Sequence, residues 1–221
     1  VLTTEDQDET LALMRATFRE TGTWGLIGSL ALQGGSDGRF INRSFLIDPA
    51  GEIRARYDKI HMFDVTLSET ESYRESAGYQ PGGQALVFDT GVAVVGMTIC
   101  YDVRFPSLYR KLAKAGAQIL TVPSAFAPST GRAHWETLLR ARAIENGAFV
   151  LAPAQCGTHP SSTDKVRSTY GHSLAVDPWG RILADGGDLP GVTLVDLDLA
   201  QVEDTRQRIP SLTHDRQFEG P

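Results

Sequence analysis

The chain has 221 residues, 41% of them hydrophobic, enough to bury one core and most economically organised as a single domain over residues 1–221. A formal net charge of -6 with no basic run argues against a nucleic-acid partner, and no apolar stretch of roughly 18 residues is present to span a membrane. The start from Val1 is acidic where a secretory signal would be basic, and two cysteines in so long a chain point to a reducing compartment, the cytoplasm, without a disulfide framework.

Thr4-Glu5-Asp6-Gln7 has the form of a capping box, followed by the apolar stripe Leu11, Met14 and Phe18 and the stop residue Gly22. This predicts a helix, with Glu5 and Glu9 in its solvated first turn. Trp24 to Leu30 predicts a short strand. Phe40 to Ile47 and Glu52 to Tyr57 predict a hairpin across Asp48-Pro49-Ala50-Gly51. Lys59 follows it among apolar residues. Residues 66 to 84 are expected as a loop, long and polar enough to be functional.

Val92 to Cys100 is a run of β-branched and small apolar residues, which predicts a strand buried on both faces and paired with Ala85 to Asp89. From Arg104 to Gly116, Phe105, Leu108, Leu112 and Ala115 recur at helical spacing, with Pro106 in the first turn. Cys100 therefore stands where a central strand turns into a helix. A nucleophile suits that position, because backbone N–H groups beside it could hold the charge its attack creates. A small core residue suits it too.

Ala117 to Val122 predicts another buried strand. A second helix is expected after a turn at Pro128-Ser129-Thr130-Gly131, with Trp135, Leu138, Leu139 and Ala143 inward and Gly147 past its end. Phe149 to Gln155 is the next strand and His159 to Arg167 a surface loop. Leu174 to Val176 and Arg181 to Ala184 flank Asp177-Pro178-Trp179-Gly180. Val192 to Leu197 predicts the last strand and Leu199 to Gln207 a short helix, with the tail from Pro210 packed on a neighbour or frayed. Alternating strands and helices imply an α/β protein with helices outside buried sheets. Five scattered histidines lack ligand spacing, so neither metal nor cofactor is expected. No G-x-S-x-G, Walker or G-x-G-x-x-G run occurs.

Three stretches taken together resemble the nitrilase superfamily of carbon–nitrogen hydrolases. They are Tyr57-Asp58-Lys59-Ile60-His61-Met62-Phe63, Tyr73-Arg74-Glu75 and Ile99-Cys100-Tyr101-Asp102-Val103-Arg104-Phe105-Pro106. The resemblance continues through Val122-Pro123-Ser124-Ala125-Phe126, Thr130-Gly131-Arg132-Ala133-His134-Trp135-Glu136, Ala154-Gln155-Cys156-Gly157 and Tyr170-Gly171-His172-Ser173. Within that superfamily the Nit branch of deaminated-glutathione amidases and ω-amidases is most similar. The resemblance implies a four-layer αββα sandwich, a homodimer or higher homo-oligomer, and hydrolysis of a small carboxylate-bearing amide through a Glu–Lys–Cys set. It implies Cys100 as nucleophile, Lys59 and the Tyr101 N–H as oxyanion donors, and Glu75 as the lysine's partner. Phe63, Phe126 and Thr130 match pocket positions, although packing accounts equally well for both phenylalanines. Arg104, one helical turn after Cys100, is expected to offer a two-pronged contact to a substrate carboxylate. Glu136 and Glu145 are expected to pair with Arg140 and Arg142, and Cys156 to be a core residue.

The family's general base, a glutamate ending an early strand, would lie upstream of Val1. The chain is therefore expected to be an N-terminally incomplete domain lacking the first strand–helix portion, and inactive by itself. An N-carbamoyl amino acid hydrolase, an isochorismatase-like Asp–Lys–Cys hydrolase and a catalytically silent assembly module remain as alternatives.

Overall fold

The computed structural model describes residues 2–69, 71–160 and 167–220. Its first helix, α1 (Glu9–Thr21), is capped by Asp8, whose carboxylate accepts from the Leu11 N–H at 2.8 Å, and stops at Gly22 in the left-handed region. The helix starts one turn later than the Thr4 pattern predicts. Thr4 makes no side-chain cap, and Glu5–Gln7 is a lone 3-10 turn, because the Asp8 carboxylate offers the N-terminus a charged acceptor. Strands β1 (Gly25–Leu32), β2 (Ile41–Ile47) and β3 (Ile53–Asp58) form an antiparallel sheet in that order. Alternation sorts its faces: Phe45 and Ile47 pack under Leu11 of α1, whereas Leu46 joins Ala55 and Tyr57 on the other side. The loop expected over 66–84 contains a hairpin strand, since β4 (Asp64–Thr66) pairs with β5 (Ser72–Arg74), and then a 3-10 turn over Glu75–Ala77.

The second sheet is built from β6 (Leu86–Asp89), β7 (Val94–Met97), β8 (Ile119–Thr121) and β9 (Phe149–Ala152). It is completed, after the hairpin β10 (Cys156–His159) and β11 (Arg167–Tyr170), by β12 (Leu174–Val176) and β13 (Ile182–Asp185). The order is β13-β12-β9-β8-β7-β6, with β7, β8 and β9 parallel. Helices α2 (Pro106–Lys114) and α3 (Pro128–Asn146) make the parallel crossovers and cover the outer face, where Leu108, Leu112, Trp135 and Leu139 pack on Leu120 and Val150. Val95, Met97 and Ile99 line the inner face against Leu46, Ala55 and Tyr57. The layers run helix, sheet, sheet, helix, so the fold is the expected αββα sandwich.

Four local differences have physical causes. Pro128-Ser129-Thr130-Gly131 is the first turn of α3 and not a turn before it, since proline's fixed φ suits the first helical position. Cys100–Arg104 forms its own 3-10 turn ahead of Pro106. Val192–Leu197 forms no strand, because extended chain needs a neighbour to pair with, and Val192 and Leu194 are each 90% exposed. After α4 (Ala200–Arg208), the tail folds back on α2: Asp215 pairs with both Arg110 and Lys114, and Arg110 donates to the Ser211 carbonyl at 2.7 Å. Residues 161–166 of the expected surface loop lie outside the described residues. Among the described residues, no helix is long and apolar enough to cross a membrane.

Candidate active site

Cys100 follows β7 at the end of a buried apolar run and adopts a φ of 49°. A non-glycine residue held in the left-handed region costs on the order of 1 kcal/mol, and persists only where its surroundings dictate it. Here the Cys100 N–H donates to the Pro123 carbonyl at 2.9 Å. The Tyr101 N–H comes second in the following 3-10 turn, a position with no intrahelical acceptor.

Lys59 leaves the end of β3 with its backbone bracketed: its N–H donates to the Asn42 carbonyl at 2.9 Å, and its carbonyl accepts from the Gly82 N–H at 2.8 Å. Gly82 has to be glycine, since a Cβ there would lie 2.2 Å from the Asp58 carbonyl oxygen. The lysine is 3% exposed, a burial its charge tolerates only with a partner. Glu75 is that partner, with Oε2 at 2.5 Å from Nζ. The same carboxylate accepts from the Phe63 N–H at 2.6 Å and from Asn42 Nδ2 at 3.3 Å, which fixes its orientation. Glu75 takes one of the ammonium's three N–H bonds, and no other acceptor among the described residues takes a second.

Asp102, two residues after Cys100, is fully buried and accepts four hydrogen bonds. Oδ2 takes the Tyr57 hydroxyl at 2.7 Å and the Ile99 N–H at 2.9 Å; Oδ1 takes the His61 N–H at 3.0 Å and His61 Nδ1 at 2.7 Å. Tyr57 and His61 flank Lys59 two residues to either side. Asp102 thereby rivets the cysteine turn to the lysine segment. Burial, and then the Asp102 charge, push the Tyr57 phenol far up, so it stays a donor.

These residues meet in a cleft of about 710 Å³ between the two sheets' ends. Cys100, Lys59, Glu75 and Tyr101 all line it, as do Phe63, Phe126 and Thr130. Phe63 stands between Tyr73 and Tyr101, with ring centroids 5.1 Å from each. Glu75 is the only carboxylate among the described lining residues. Glu136 pairs with Arg140 at 3.1 Å and Glu145 with Arg142 at 2.8 Å, the ion pairs expected for that helix.

The carbon-nitrogen hydrolase family profile matches residues 2–207. The chain belongs to the carbon-nitrogen hydrolase family. It is similar to the deaminated glutathione amidase of Yersinia enterocolitica, 44% identical over 205 residues that make up 92% of this chain and 70% of that protein. Its fold is similar to that of a branch 10 member of the nitrilase superfamily from Saccharomyces cerevisiae, with a TM-score of 0.84, 29% identity, and 98% of this chain and 75% of that one covered. It is also similar to a point mutant of the amidase from Nesterenkonia sp. AN1 that shows covalent addition of the acetamide moiety of fluoroacetamide at the active-site cysteine. There the TM-score is 0.70 and the identity 30%, with 90% of this chain and 71% of that one covered. The chain spans between 59% and 70% of the length of the curated deaminated glutathione amidases it matches.

Arg104 is not among the described lining residues but lies next to them, with its guanidinium 5.5 Å from the Phe126 ring centroid and 6.0 Å from that of Tyr101, and within 3.2 Å of His134 Nδ1. Sequence reasoning missed Asp102 and His61, whose partners lie more than forty residues away, and missed Arg74 and Arg167 on the cleft wall. The Asp-x-Arg run beside Cys100 was a usable signal for the first. No local signal marked the arginines.

Proposed function

We propose that this domain, when joined to the general-base glutamate that the family resemblance implies, hydrolyses the C–N bond of a small carboxylate-bearing amide, deaminated glutathione among the relatives' substrates, through a thioester on Cys100. The observation that carries the reading is one cleft holding a cysteine on a strained strand-to-helix turn and a buried lysine locked by a carboxylate. Cys100 sulfur adds to the amide carbon. The oxygen charge that develops is met by the Lys59 ammonium and the Tyr101 N–H, donors already in place before the reaction and so more favourable to the transition state than to the substrate. Collapse expels the amine, which leaves with a proton; water then cleaves the thioester and restores the thiol. Glu75 is committed to Lys59 and the Phe63 N–H, so its proposed role is to hold the ammonium in line. Two free cysteines suit a reducing cytoplasm, and the family resemblance suggests a homodimer.

The test measures amine release from deaminated glutathione and from dicarboxylate monoamides, with mass spectrometry of the trapped protein. Cys100→Ser should fold normally, form no thioester and lose turnover. Lys59→Ala should lower kcat by roughly a hundredfold or more, with a smaller change in KM. Retained turnover in Cys100→Ser would remove Cys100 from the mechanism, and a change confined to KM would make Lys59 a binding residue.

A further inference from the structure

The cleft is opposite in charge to the chain around it. Its described lining carries Lys59, Arg74 and Arg167 against Glu75 alone, whereas the whole chain carries -6. Lys59 is neutralised by Glu75. Arg74 has the Asp64 carboxylate as its cross-strand neighbour, whereas Arg167 makes no hydrogen bond or ion pair among the described residues; the two come from separate elements, β5 and β11. A guanidinium group without an ion partner at the wall of a cleft is a fork for a planar anion.

Their position relative to the nucleophile follows from the aromatic wall. It runs from Tyr101, beside Cys100, to Phe63 and on to Tyr73, in two ring-to-ring steps of 5.1 Å. Arg167 acts at the far end. Burial and then Glu71 push the Tyr73 phenol up, burial and then Glu75 push the Tyr79 phenol up, and the Arg167 charge opposes the shift at both. An acyl group on Cys100 that followed the wall would bring a substituent a few bonds from its carbonyl to these arginines. Arg104, bonded to His134 and set over the Phe126 ring, is not among the described lining residues.

We infer that Arg167, assisted by Arg74, is the specificity-determining residue of the cleft and binds a substrate carboxylate remote from the reacting carbonyl. The inference rests on the amidase reading for its substrate class, but the binding it describes needs no catalysis. The experiment therefore has two arms on the full chain. Titration calorimetry follows glutarate, a dicarboxylate with no amide to cleave. Steady-state kinetics compare glutaramate with pentanamide, its neutral counterpart. Arg167→Ala should weaken glutarate binding and lower kcat/KM for glutaramate by about tenfold to a hundredfold, the range of a charge-assisted pair, while pentanamide changes less than about twofold. Arg167→Lys should recover only part, since an ammonium cannot reproduce the fork. Arg74→Ala should show the same selectivity with a smaller loss, and Arg104→Ala should lower both amides alike. Thermal unfolding of each variant separates a binding loss from misfolding.

Undetectable glutarate binding by the unaltered chain, or binding indifferent to Arg167→Ala, would overturn the inference. So would equal losses for acidic and neutral amides. Absent hydrolysis with Arg167-dependent glutarate binding leaves this inference standing, since the described cleft has no carboxylate to act as base except Glu75, which Lys59 holds. Hydrolysis without acid preference does the reverse.

Discussion

Asp102 shows how much one buried carboxylate can organise. Each oxygen accepts two donors, and one of the four comes from the residue preceding the nucleophile, while the other three come from the residues flanking Lys59. A carboxylate oxygen only accepts, so His61 Nδ1 carries the proton in this pair, and the imidazole is held flat on Phe105 at 3.5 Å between centroids. In Asp102→Asn one oxygen becomes an N–H₂ group facing two buried donors. The expected cost is about 2–3 kcal/mol in urea unfolding, the penalty for buried donors left without acceptors. Because the bonds position rather than contact substrate, kcat should fall more than KM for any amide turned over. A variant with unaltered stability and a raised KM would place Asp102 on the substrate instead.

The hairpin β10–β11 is held to the body of the protein by α3. Gly131 in the first turn of that helix meets Tyr170, and a Cβ there would stand 2.2 Å from the tyrosine's Cγ and 2.5 Å from its Cβ. Neither atom is a flexible tip, so Gly131→Ala must move the helix or the strand. The Tyr170 N–H donates to the Phe126 carbonyl at 2.9 Å, and Trp135 Nε1 to the His172 carbonyl at 2.8 Å, which tie both ends of the shift to the cleft wall. Gly131→Ala should cost about 1–3 kcal/mol in denaturant midpoint. It should also weaken glutarate binding, since β11 carries Arg167. An unchanged midpoint would show that the contact is slack enough to absorb a methyl group.

The chain's acid stability depends partly on how its start is tied to the first sheet. Glu5 is not simply solvated in the first turn of α1, as the capping-box pattern predicts; from its 3-10 turn it bridges Arg43 of β2 at 2.9 Å and Arg56 of β3 at 2.7 Å. Burial alone would raise its carboxyl, but hydrogen bonds and charge from the two arginines outweigh that and hold it below the usual carboxylate range. A carboxyl depressed in the folded state stabilises the protein above its unfolded pKa and loses that contribution as pH falls through the folded one. Glu5→Gln should therefore be less stable than the unaltered chain at pH 7, by about 1 kcal/mol or less for so exposed a network, and the gap should close below about pH 4. Urea titrations at pH 7 and pH 3 check it. A gap that persists at pH 3 would mean that packing, and not charge, holds the N-terminal turn.

What the sequence determined by itself is what acts over a few residues. The buried run ending at Cys100, Pro106 in the first turn, the stop at Gly22 and the turn at Asp48-Pro49-Ala50-Gly51 all predicted elements that exist, because dihedral preference, capping and side-chain period are local. The motif residues also marked Cys100, Lys59, Glu75, Phe63, Phe126 and Thr130 as members of one set, and all six line one cleft. Competition between adjacent signals was not legible: Asp8 displaced Thr4 as the cap, and Pro128 opened a helix where a turn was expected. Only the tertiary structure decided which partner each charge meets. Arg104 was the one carboxylate clamp the sequence suggested, yet it is Arg167 that a hairpin brings to the cleft wall, where nothing local in the sequence marked it. Val192–Leu197 has a strand's composition, but a strand also needs a neighbour's backbone, and hydrogen-bond partners are assigned by packing across the whole chain and not by the residues beside them.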